Sequence, residues 1–324
     1  MTVLSPTTML AVRPTRAEFR NDVLAGLSQR PKRLPCKYFY DRRGSMLFDA
    51  ICAQPEYYLT RTERQIMLQH IDDIVDVLGE QVILIEFGSG SSLKTRYLLQ
   101  HLRKQEMYVP VDISREHLMN TVRRLHRDFG HVTIRPICAD FTTGIRLPRV
   151  WDTGGRRVVY FPGSTIGNFE PTAAVQLLHR ISKLSGPGGG LLIGIDLVKE
   201  PTIIERAYND AAGVTAEFNL NLLMRMNREL GATFNLDRFE HRAFYDTRFH
   251  RVDLRLVSKH NQKVRINNRT FEFEAKEPIH TEYSHKYTID RFSRLASEAG
   301  LKLERWWTDD RSYFGVLYFV HESQ

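Results

Sequence analysis

Three carboxylates, Glu86, Asp112 and Asp140, stand at the ends of short apolar runs, and the first is followed by a glycine turn. Residues 82–87 are apolar apart from Glu86, and Gly88-Ser89-Gly90 follows directly. A buried parallel strand that delivers backbone to a nucleotide-like ligand has this pattern. Asp112 ends the next run, roughly 20 residues further on, where an acid would meet ribose hydroxyls. The spacing predicts a nucleoside site at one edge of a sheet.

Two classes of enzyme share this pattern, and the residues after the glycine turn bear on the choice between them. A dinucleotide-binding dehydrogenase needs a third glycine near the pyrophosphate, where this chain has Ser91-Ser92-Leu93-Lys94. The sulfonium and adenosine of S-adenosylmethionine need no phosphate cradle and suit a carboxylate-lined pocket. The three strand-end acids resemble the cofactor side of class I S-adenosylmethionine-dependent methyltransferases, which we favour; a dehydrogenase is the main alternative.

The elements that must position these acids alternate between strands and helices. Apolar patterning predicts strands at 82–87, 107–112, 134–140, 158–161 and 191–196, and helices at 93–102, 115–129 and 171–184. Capping-box patterns at Thr15-x-x-Glu18 and Thr60-x-x-Glu63 predict two further helix starts, the second helix ending at Gly79. This alternation is typical of α/β proteins with a doubly wound parallel sheet.

The pattern changes after Pro201. A helical stretch at 203–230 precedes alternating segments at 251–257 and 270–273, which predict antiparallel strands. A helix at 289–299 and strands near Leu303 and Val316 would complete the first sheet with an antiparallel hairpin. We therefore predict a Rossmann-like class I methyltransferase sheet with an inserted α+β substrate-binding lobe. The predicted segments are an N-terminal segment 1–60 that packs with the lobe and begins as a loose tail over 1–16, a core 61–199, the lobe 200–287 and a completion of the core 288–324.

Composition fits an enzyme of this class. The chain has 324 residues, 42% hydrophobic and 26% charged, enough for a full domain and an addition. We expect no signal peptide or membrane span. The cysteines, Cys36, Cys52 and Cys138, are odd in number and far apart, which argues against a disulfide framework or a zinc site. We therefore expect a cytoplasmic protein without a metal.

The net charge of +8 raises the possibility of a nucleic-acid partner. One cluster, formed by Arg123, Arg124 and Arg127, has helical spacing and is typical of a solvated helix face. We therefore expect a small-molecule substrate, no nucleic-acid or membrane partner, and a monomer.

The loop after the fourth predicted strand, Phe161-Pro162-Gly163-Ser164-Thr165-Ile166-Gly167-Asn168, is the most specific motif. Methyltransferases acting on adenine or glutamine amides usually carry Asn/Asp-Pro-Pro-Tyr/Phe here, which this chain lacks. The loop instead resembles that of the histidine Nα-methyltransferases of ergothioneine biosynthesis. Further segments match that family in the same order: 55–63, 85–91, Ala207-Tyr208-Asn209-Asp210 with 211–215, Thr281-Glu282-Tyr283-Ser284, and Trp306-Trp307-Thr308-Asp309.

The resemblance implies a histidine site. Its residues would be Tyr57, Gly163, Asn168, Tyr208, Leu254, Glu282 and Ser284. Asn168 and Tyr208 would hold the α-carboxylate, whereas Glu282 and Ser284 would hold the imidazole nitrogens. Residues two apart on a strand share a face, which suits the latter pair. Leu254 stands where some members carry methionine, and the role of Tyr283 is open, so both bear on selectivity.

The resemblance also implies a cofactor site and a reaction. Gly88 would allow close backbone approach, Lys94 would bind the methionine carboxylate, Asp112 the ribose, and Asp140 with Phe141 the adenine. Tyr40 and Asn168 would be the catalytic residues, with Tyr40 near the point of methyl transfer. Three successive displacements by the α-nitrogen of histidine would give hercynine.

Three alternatives remain open at this point. One is an N-methyltransferase of another amino acid, which would share the carboxylate clamp. An RNA or protein methyltransferase would use the basic surface. A non-catalytic S-adenosylmethionine-binding protein is the third. A panel of amino-acid substrates tests the first alternative, and RNA binding at several salt concentrations tests the second. Turnover separates an enzyme from the third.

Overall fold

The computed structural model describes residues 10–12, 14–102 and 107–321. The helices are α1 Arg16–Leu27, α2 Arg42–Cys52, α3 Tyr58–Gln69, α4 Ile71–Leu78, α5 Thr95–His101, α6 Arg115–Asp128, α7 Pro171–Ser185, α8 Pro201–Ala207, α9 Val214–Leu230 and α10 Ile289–Ser297. The strands are β1 Leu10–Val12, β2 Lys32–Arg33, β3 Val82–Phe87, β4 Met107–Asp112, β5 Ile137–Ala139, β6 Arg156–Phe161, β7 Gly190–Asp196, β8 Phe239–Asp246, β9 Arg251–Ser258, β10 Gln262–Ile266, β11 Arg269–Phe273, β12 Pro278–His285, β13 Leu301–Thr308 and β14 Phe314–His321. In these ranges no helix is both long and apolar enough to cross a membrane.

The described chain divides into two compact units. The first contains β1, Leu59–Val198 and the chain from Lys286 onward, and the second contains Pro14–Tyr58 and Lys199–His285. These units are groups of residues in mutual contact, and they do not show which segments fold on their own. The domain boundaries expected from the sequence stay predictions.

The first unit is built on an eight-stranded sheet with the order β1-β5-β4-β3-β6-β7-β14-β13. Neighbouring strands from β1 to β7 are parallel, whereas β14 is antiparallel to both β7 and β13. Every residue of β3 and β4 is buried, as expected for central parallel strands that are covered on both faces. The predicted α/β fold class and the C-terminal antiparallel hairpin are confirmed.

The N-terminal tail differs from expectation. Leu10–Val12 pairs in parallel with Ile137–Ala139 at the edge of the sheet, so these residues are not a loose tail. Thr15 caps α1 by accepting a hydrogen bond from the Glu18 backbone N–H at 3.1 Å. The first predicted capping box is therefore confirmed, and residues 1–9 lie outside the described chain.

The second predicted capping box, Thr60-x-x-Glu63, is wrong. Helix α3 begins at Tyr58, so Thr60 is inside the helix, and Glu63 is fully buried. The helical run expected to continue to Gly79 is also divided at His70, which precedes α4. Gly79 does end α4, with a positive φ of 81°.

Two other predicted elements are shorter than expected. The strand expected over 134–140 is confined to β5, with an isolated bridge between Tyr108 and Ile134, because Pro136 has no N–H to donate. The helix expected over 203–230 is two helices, α8 and α9. They are separated at Gly213, whose φ of 72° lies in the left-handed region that favours glycine.

The second unit contains a four-stranded sheet with the order β2-β12-β9-β8 and a separate β10–β11 hairpin. The antiparallel strands predicted from the alternating segments are therefore present. The pairing between β12 and β9 shifts between His280 and Glu282, so Thr281 forms a bulge. A bulge of this kind redirects the side chains that follow it, here Glu282 and Ser284.

The chain leaves and re-enters the first sheet at neighbouring points. Leu197 and Tyr287 form a parallel bridge, and the Val198 N–H donates to the Tyr287 carbonyl at 2.9 Å. Beside this bridge the fully buried Lys286 and Asp196 form an ion pair at 2.7 Å. These contacts form the root of the inserted segment.

Candidate active site

The glycine loop after β3 is fixed by the carboxylate that ends β4. Asp112 accepts hydrogen bonds from the Gly90 N–H at 2.9 Å and from the Ser114 N–H at 2.8 Å. Gly88 and Gly90 have positive φ values of 67° and 48°, so the loop needs glycine at these turns. Burial raises the pKa of Asp112, although these backbone donors oppose the shift. The structure thus brings together two residues predicted for the cofactor, Gly88 and Asp112.

Glu86 lies behind this loop. It accepts hydrogen bonds from the Thr95 hydroxyl at 2.6 Å, from the Ser92 hydroxyl at 3.3 Å and from the Tyr108 hydroxyl. Burial raises its pKa to about 7, although these donors and Lys94 oppose the shift. Glu86 is therefore buried and ties the loop to the start of α5.

Glu86→Gln should remove a pH-dependent loss of stability. The pKa of Glu86 rises from 4.5 to about 7 on folding, so the folded protein holds an extra proton between these values. The free energy of unfolding therefore falls as pH rises through this window. The glutamine side chain has no proton to lose. The free energy of unfolding of the variant minus that of wild type should therefore rise by a few kcal/mol as the pH is raised from about 4.5 to 7.5. Thermal unfolding of both proteins measures this, and a difference independent of pH would contradict it.

Phe141 lies beside the glycine loop. Its ring stacks on Phe87 with centroids 5.3 Å apart, and a Cβ built on Gly88 would lie 3.8 Å from it. Asp140 accepts a hydrogen bond from the Thr142 N–H at 2.9 Å, which holds the turn that carries Phe141. The two residues predicted for the adenine therefore share one turn, with an aromatic face next to Gly88.

Lys94 pairs with a residue that the sequence did not assign to the site. Its ammonium forms an ion pair with Glu63, whose two oxygens also accept from the Gly163 N–H at 3.1 and 3.0 Å. Lys94 and Gly163, predicted for cofactor and substrate respectively, are therefore linked by one carboxylate. Sequence reasoning missed Glu63 because its spacing from Thr60 imitates a capping box.

The loop after β6 makes a tight turn before Asn168. Gly163 and Ser164 have positive φ values of 77° and 57°, and residues Thr165–Asn168 form a short 3-10 helix. The Asp196 N–H donates to the Ser164 hydroxyl at 2.8 Å, which attaches this turn to the end of β7. Asn168, which was predicted to bind the substrate, thus ends a turn that neighbouring elements of its own unit hold in place.

In the second unit, two predicted substrate residues meet directly. The hydroxyls of Tyr208 and Ser284 are 2.7 Å apart, and both side chains are buried. Glu282 lies two residues before Ser284 on β12, is 9% exposed, and is opposite Leu254 on β9. The structure therefore gathers Tyr208, Leu254, Glu282 and Ser284 around one stretch of sheet.

Aromatic rings continue from this cluster. The Tyr57 ring lies 6.1 Å from that of Tyr208 and 6.3 Å from that of Phe48. The Tyr40 ring is 5.8 Å from both Phe48 and Phe218. Tyr40 and Tyr57 were predicted from the resemblance and stay predictions, whereas the sequence did not single out their neighbours Phe48 and Phe218. On sequence alone, these two phenylalanines resemble ordinary core residues of α2 and α9.

The backbone around Tyr208 is held from two sides. The carbonyl of Tyr208 accepts from His241 Nε2 at 2.9 Å, and Asn219 donates to His241 Nδ1 at 2.9 Å, which assigns the proton to Nε2. Burial lowers the pKa of His241, which favours this neutral form. Asp210 accepts from the Val214 and Thr215 N–H groups at 2.7 and 2.8 Å and caps α9. Tyr208 therefore occupies a fixed turn.

The order of strands, their directions, the glycine loop after β3 and the carboxylate that ends β4 define a class I S-adenosylmethionine-dependent methyltransferase. A family model described as histidine-specific methyltransferase, SAM-dependent, matches residues 19–321, and the chain belongs to this family.

Curated relatives are similar over most of the chain. It is 40% identical over 323 residues to a histidine N-alpha-methyltransferase of Mycolicibacterium smegmatis, covering 98% of this chain and 99% of that protein. It is 40% identical over 303 residues to a histidine N-alpha-methyltransferase of Mycobacterium tuberculosis, covering 92% and 93%. It is 30% identical over 304 residues to ergothioneine biosynthesis protein 1 of Neurospora crassa, covering 87% of this chain and 32% of that protein.

The residues of the glycine loop fit the methyl donor of this family. Among the described residues, the buried Ser89 hydroxyl has no hydrogen-bond partner and is available to a polar ligand. Phe141 offers an aromatic face, and Asp112 offers a carboxylate at the same loop. Over the same described ranges, no group of three or more His, Cys, Asp or Glu side chains could hold a metal ion.

Proposed function

We propose that the protein trimethylates the α-amino nitrogen of L-histidine with S-adenosylmethionine, producing hercynine in an early step of ergothioneine biosynthesis. Family membership and the two relatives with 40% identity support this proposal. The observation that carries it is the direct contact between the Tyr208 and Ser284 hydroxyls, with Glu282 on the same strand. This arrangement offers hydroxyl and carboxylate groups to a small polar substrate.

Glu282 is proposed to recognise the imidazole. It is 9% exposed, and a buried carboxylate favours a ligand that donates a hydrogen bond over one that does not. Imidazole provides such an N–H, whereas a phenyl ring provides none. Ser284, on the same strand, would bond the second nitrogen. This pair selects histidine mainly by penalising other side chains.

Tyr208 and Asn168 are proposed to hold the α-carboxylate. The neutral His241 and the Asp210 cap fix the backbone on which Tyr208 stands. Asn168 follows the Gly163 turn and would supply an amide N–H donor. Charge-assisted hydrogen bonds to the carboxylate would orient the amino nitrogen for transfer.

The aromatic residues are proposed to surround the reacting nitrogen. Burial, followed by the influence of Tyr208, raises the pKa of Tyr57 well above its usual value, so its hydroxyl stays protonated and is a poor proton acceptor. Tyr57 is therefore not proposed as the acceptor for the protons released from the amine. S-adenosylmethionine supplies the electrophilic methyl group when bound. Tyr and Phe faces would stabilise the quaternary ammonium product by roughly 0.5 to 2 kcal/mol.

Mass spectrometry of the protein incubated with S-adenosylmethionine and histidine tests the function. We expect one, two and finally three methyl groups on the α-nitrogen of histidine. Histamine should be turned over at least about tenfold more slowly, because it keeps the imidazole but lacks the carboxylate and its charge-assisted bonds. Comparable turnover of histamine would contradict the carboxylate clamp. Methylation of another amino acid in place of histidine would favour the alternative substrate class.

A further inference from the structure

Glu63 occupies a fully buried position where three parts of the first unit meet. Both of its carboxylate oxygens accept from the Gly163 N–H, and one forms an ion pair with Lys94. The Glu63 side chain has no solvent exposure, and that of Lys94 is 15% exposed. A carboxylate buried to this degree requires charged and hydrogen-bonding partners, and these contacts supply them.

The neighbouring strand leaves space for this carboxylate. A Cβ built on Gly194 of β7 would collide with Glu63 Oε1 and would lie 2.9 Å from the Phe314 ring. A Cβ built on Gly163 would lie 3.7 Å from Lys94 Nζ, so the ammonium is close to the turn itself. The ammonium, the carboxylate and the turn therefore form one packed group.

The negative charge of Glu63 is compensated by Lys94. The hydroxyl of Tyr160 is also near, but burial and then the charge of Glu63 raise its pKa well above the usual value, so Tyr160 adds no second negative charge beside Glu63. The cation that compensates Glu63 is thus Lys94, which carries the long flexible stem of a lysine. Without a fixed partner, such a stem would spread its ammonium over many positions.

We propose that Glu63 is a positioning residue that holds the Lys94 ammonium against the Gly163 turn. One carboxylate would thereby set both the group that binds the methionine carboxylate of the methyl donor and the turn that leads to the amino-acid substrate. This inference rests on the proposed function through the roles of Lys94 and Gly163. It assigns Glu63 an action through these residues and no contact with the reacting atoms.

Two substitutions separate the two contacts of Glu63. Glu63→Gln keeps an oxygen that accepts from Gly163 but removes the charge that holds Lys94. Glu63→Ala removes both contacts. We expect Glu63→Gln to weaken S-adenosylmethionine binding about tenfold while the KM for histidine changes less than about twofold. Glu63→Ala should weaken cofactor binding and also raise the KM for histidine. Calorimetry and steady-state kinetics measure the two quantities.

A double-mutant cycle with Lys94→Met distinguishes positioning from a general loss of structure. In the Lys94→Met background, Glu63→Gln should weaken cofactor binding by less than about twofold, because the ammonium on which it acts is gone. The double variant should also unfold at a higher temperature than Lys94→Met alone, since the latter leaves a buried carboxylate without its cation. Glu304→Gln, an exposed substitution on β13, is the control and should leave both constants unchanged.

An unchanged or tighter affinity of Glu63→Gln for S-adenosylmethionine would overturn the proposal. A full tenfold effect of Glu63→Gln in the Lys94→Met background would overturn it as well. Failure of the proposed function is seen separately, because wild-type protein would then leave histidine unmethylated. If Glu63→Gln does not fold, Glu63→Asp decides, because it keeps the charge but shortens the reach toward Lys94 and Gly163 by one methylene. Weaker binding of S-adenosylmethionine by folded Glu63→Asp would support the proposal, and wild-type affinity would overturn it.

Discussion

Glu282→Ala should lower kcat/KM for histidine about a hundredfold while S-adenosylmethionine affinity stays within about twofold of wild type. The loss arises because the carboxylate, 9% exposed at the bulge of β12, is the proposed acceptor for the imidazole N–H. Removing it also removes the penalty on rings that cannot donate. Activity on phenylalanine or tryptophan should therefore rise relative to histidine. Steady-state kinetics with the three amino acids measure both effects.

The matched control is Glu272→Ala, which removes an exposed carboxylate from β11 in the same unit. Glu272 pairs with Lys263 at the surface, and such pairs contribute little, so the control should retain wild-type kinetics. If Glu282→Ala keeps the wild-type preference for histidine, Glu282 does not read the imidazole. The substrate assignment would then depend on family membership alone.

Asp112→Ala should weaken S-adenosylmethionine binding at least about tenfold, which is the second large effect. Two losses combine. The ribose loses its proposed hydrogen-bond acceptor, and the Gly90 and Ser114 N–H groups lose the carboxylate that fixes the loop. The melting temperature should also fall, because a buried N–H left without an acceptor costs about 1 to 3 kcal/mol. Calorimetry and thermal unfolding measure these changes.

Asp112→Asn and Asp152→Ala complete this experiment. The asparagine variant keeps an oxygen for one backbone donor, so it should fold more stably than Asp112→Ala but still bind the cofactor weakly. Asp152 pairs with Arg157 at the surface of the same unit, so its substitution should change neither property. Wild-type affinity in a folded Asp112→Ala protein would remove Asp112 from the cofactor site.

The cofactor half of the fold could be predicted because its signals are local. Apolar runs that end in Glu86, Asp112 and Asp140 predict parallel strands, and the carboxyl ends of such strands meet at one edge. The predicted bounds of one strand and one helix were wrong where a single residue interrupts the local pattern. Pro136 shortened β5, and the turn at Gly213 divided a continuous helical pattern.

The support of the site could not be predicted in this way. Glu63 contacts Lys94 and Gly163, which lie 31 and 100 residues away in the chain, so no local pattern reveals the contacts. His241 lies 33 residues beyond the carbonyl that it holds, and its surroundings in sequence are those of an ordinary strand. The roles of the substrate residues were predicted from the resemblance to a family, because no local pattern assigns them.

The root formed by Leu197, Tyr287 and the buried Asp196–Lys286 pair has a consequence for how this fold can diversify. Hydrogen bonds already join the two ends of the inserted segment. For the stability of the sheet, the segment therefore acts as a closed loop. Closing a loop twice as long costs only about 0.6 kcal/mol more. Residues can therefore be gained, lost or exchanged between these ends with little effect on the stability of the sheet. If the substrate residues lie in this segment as proposed, substrate preference can change there while the sheet stays the same.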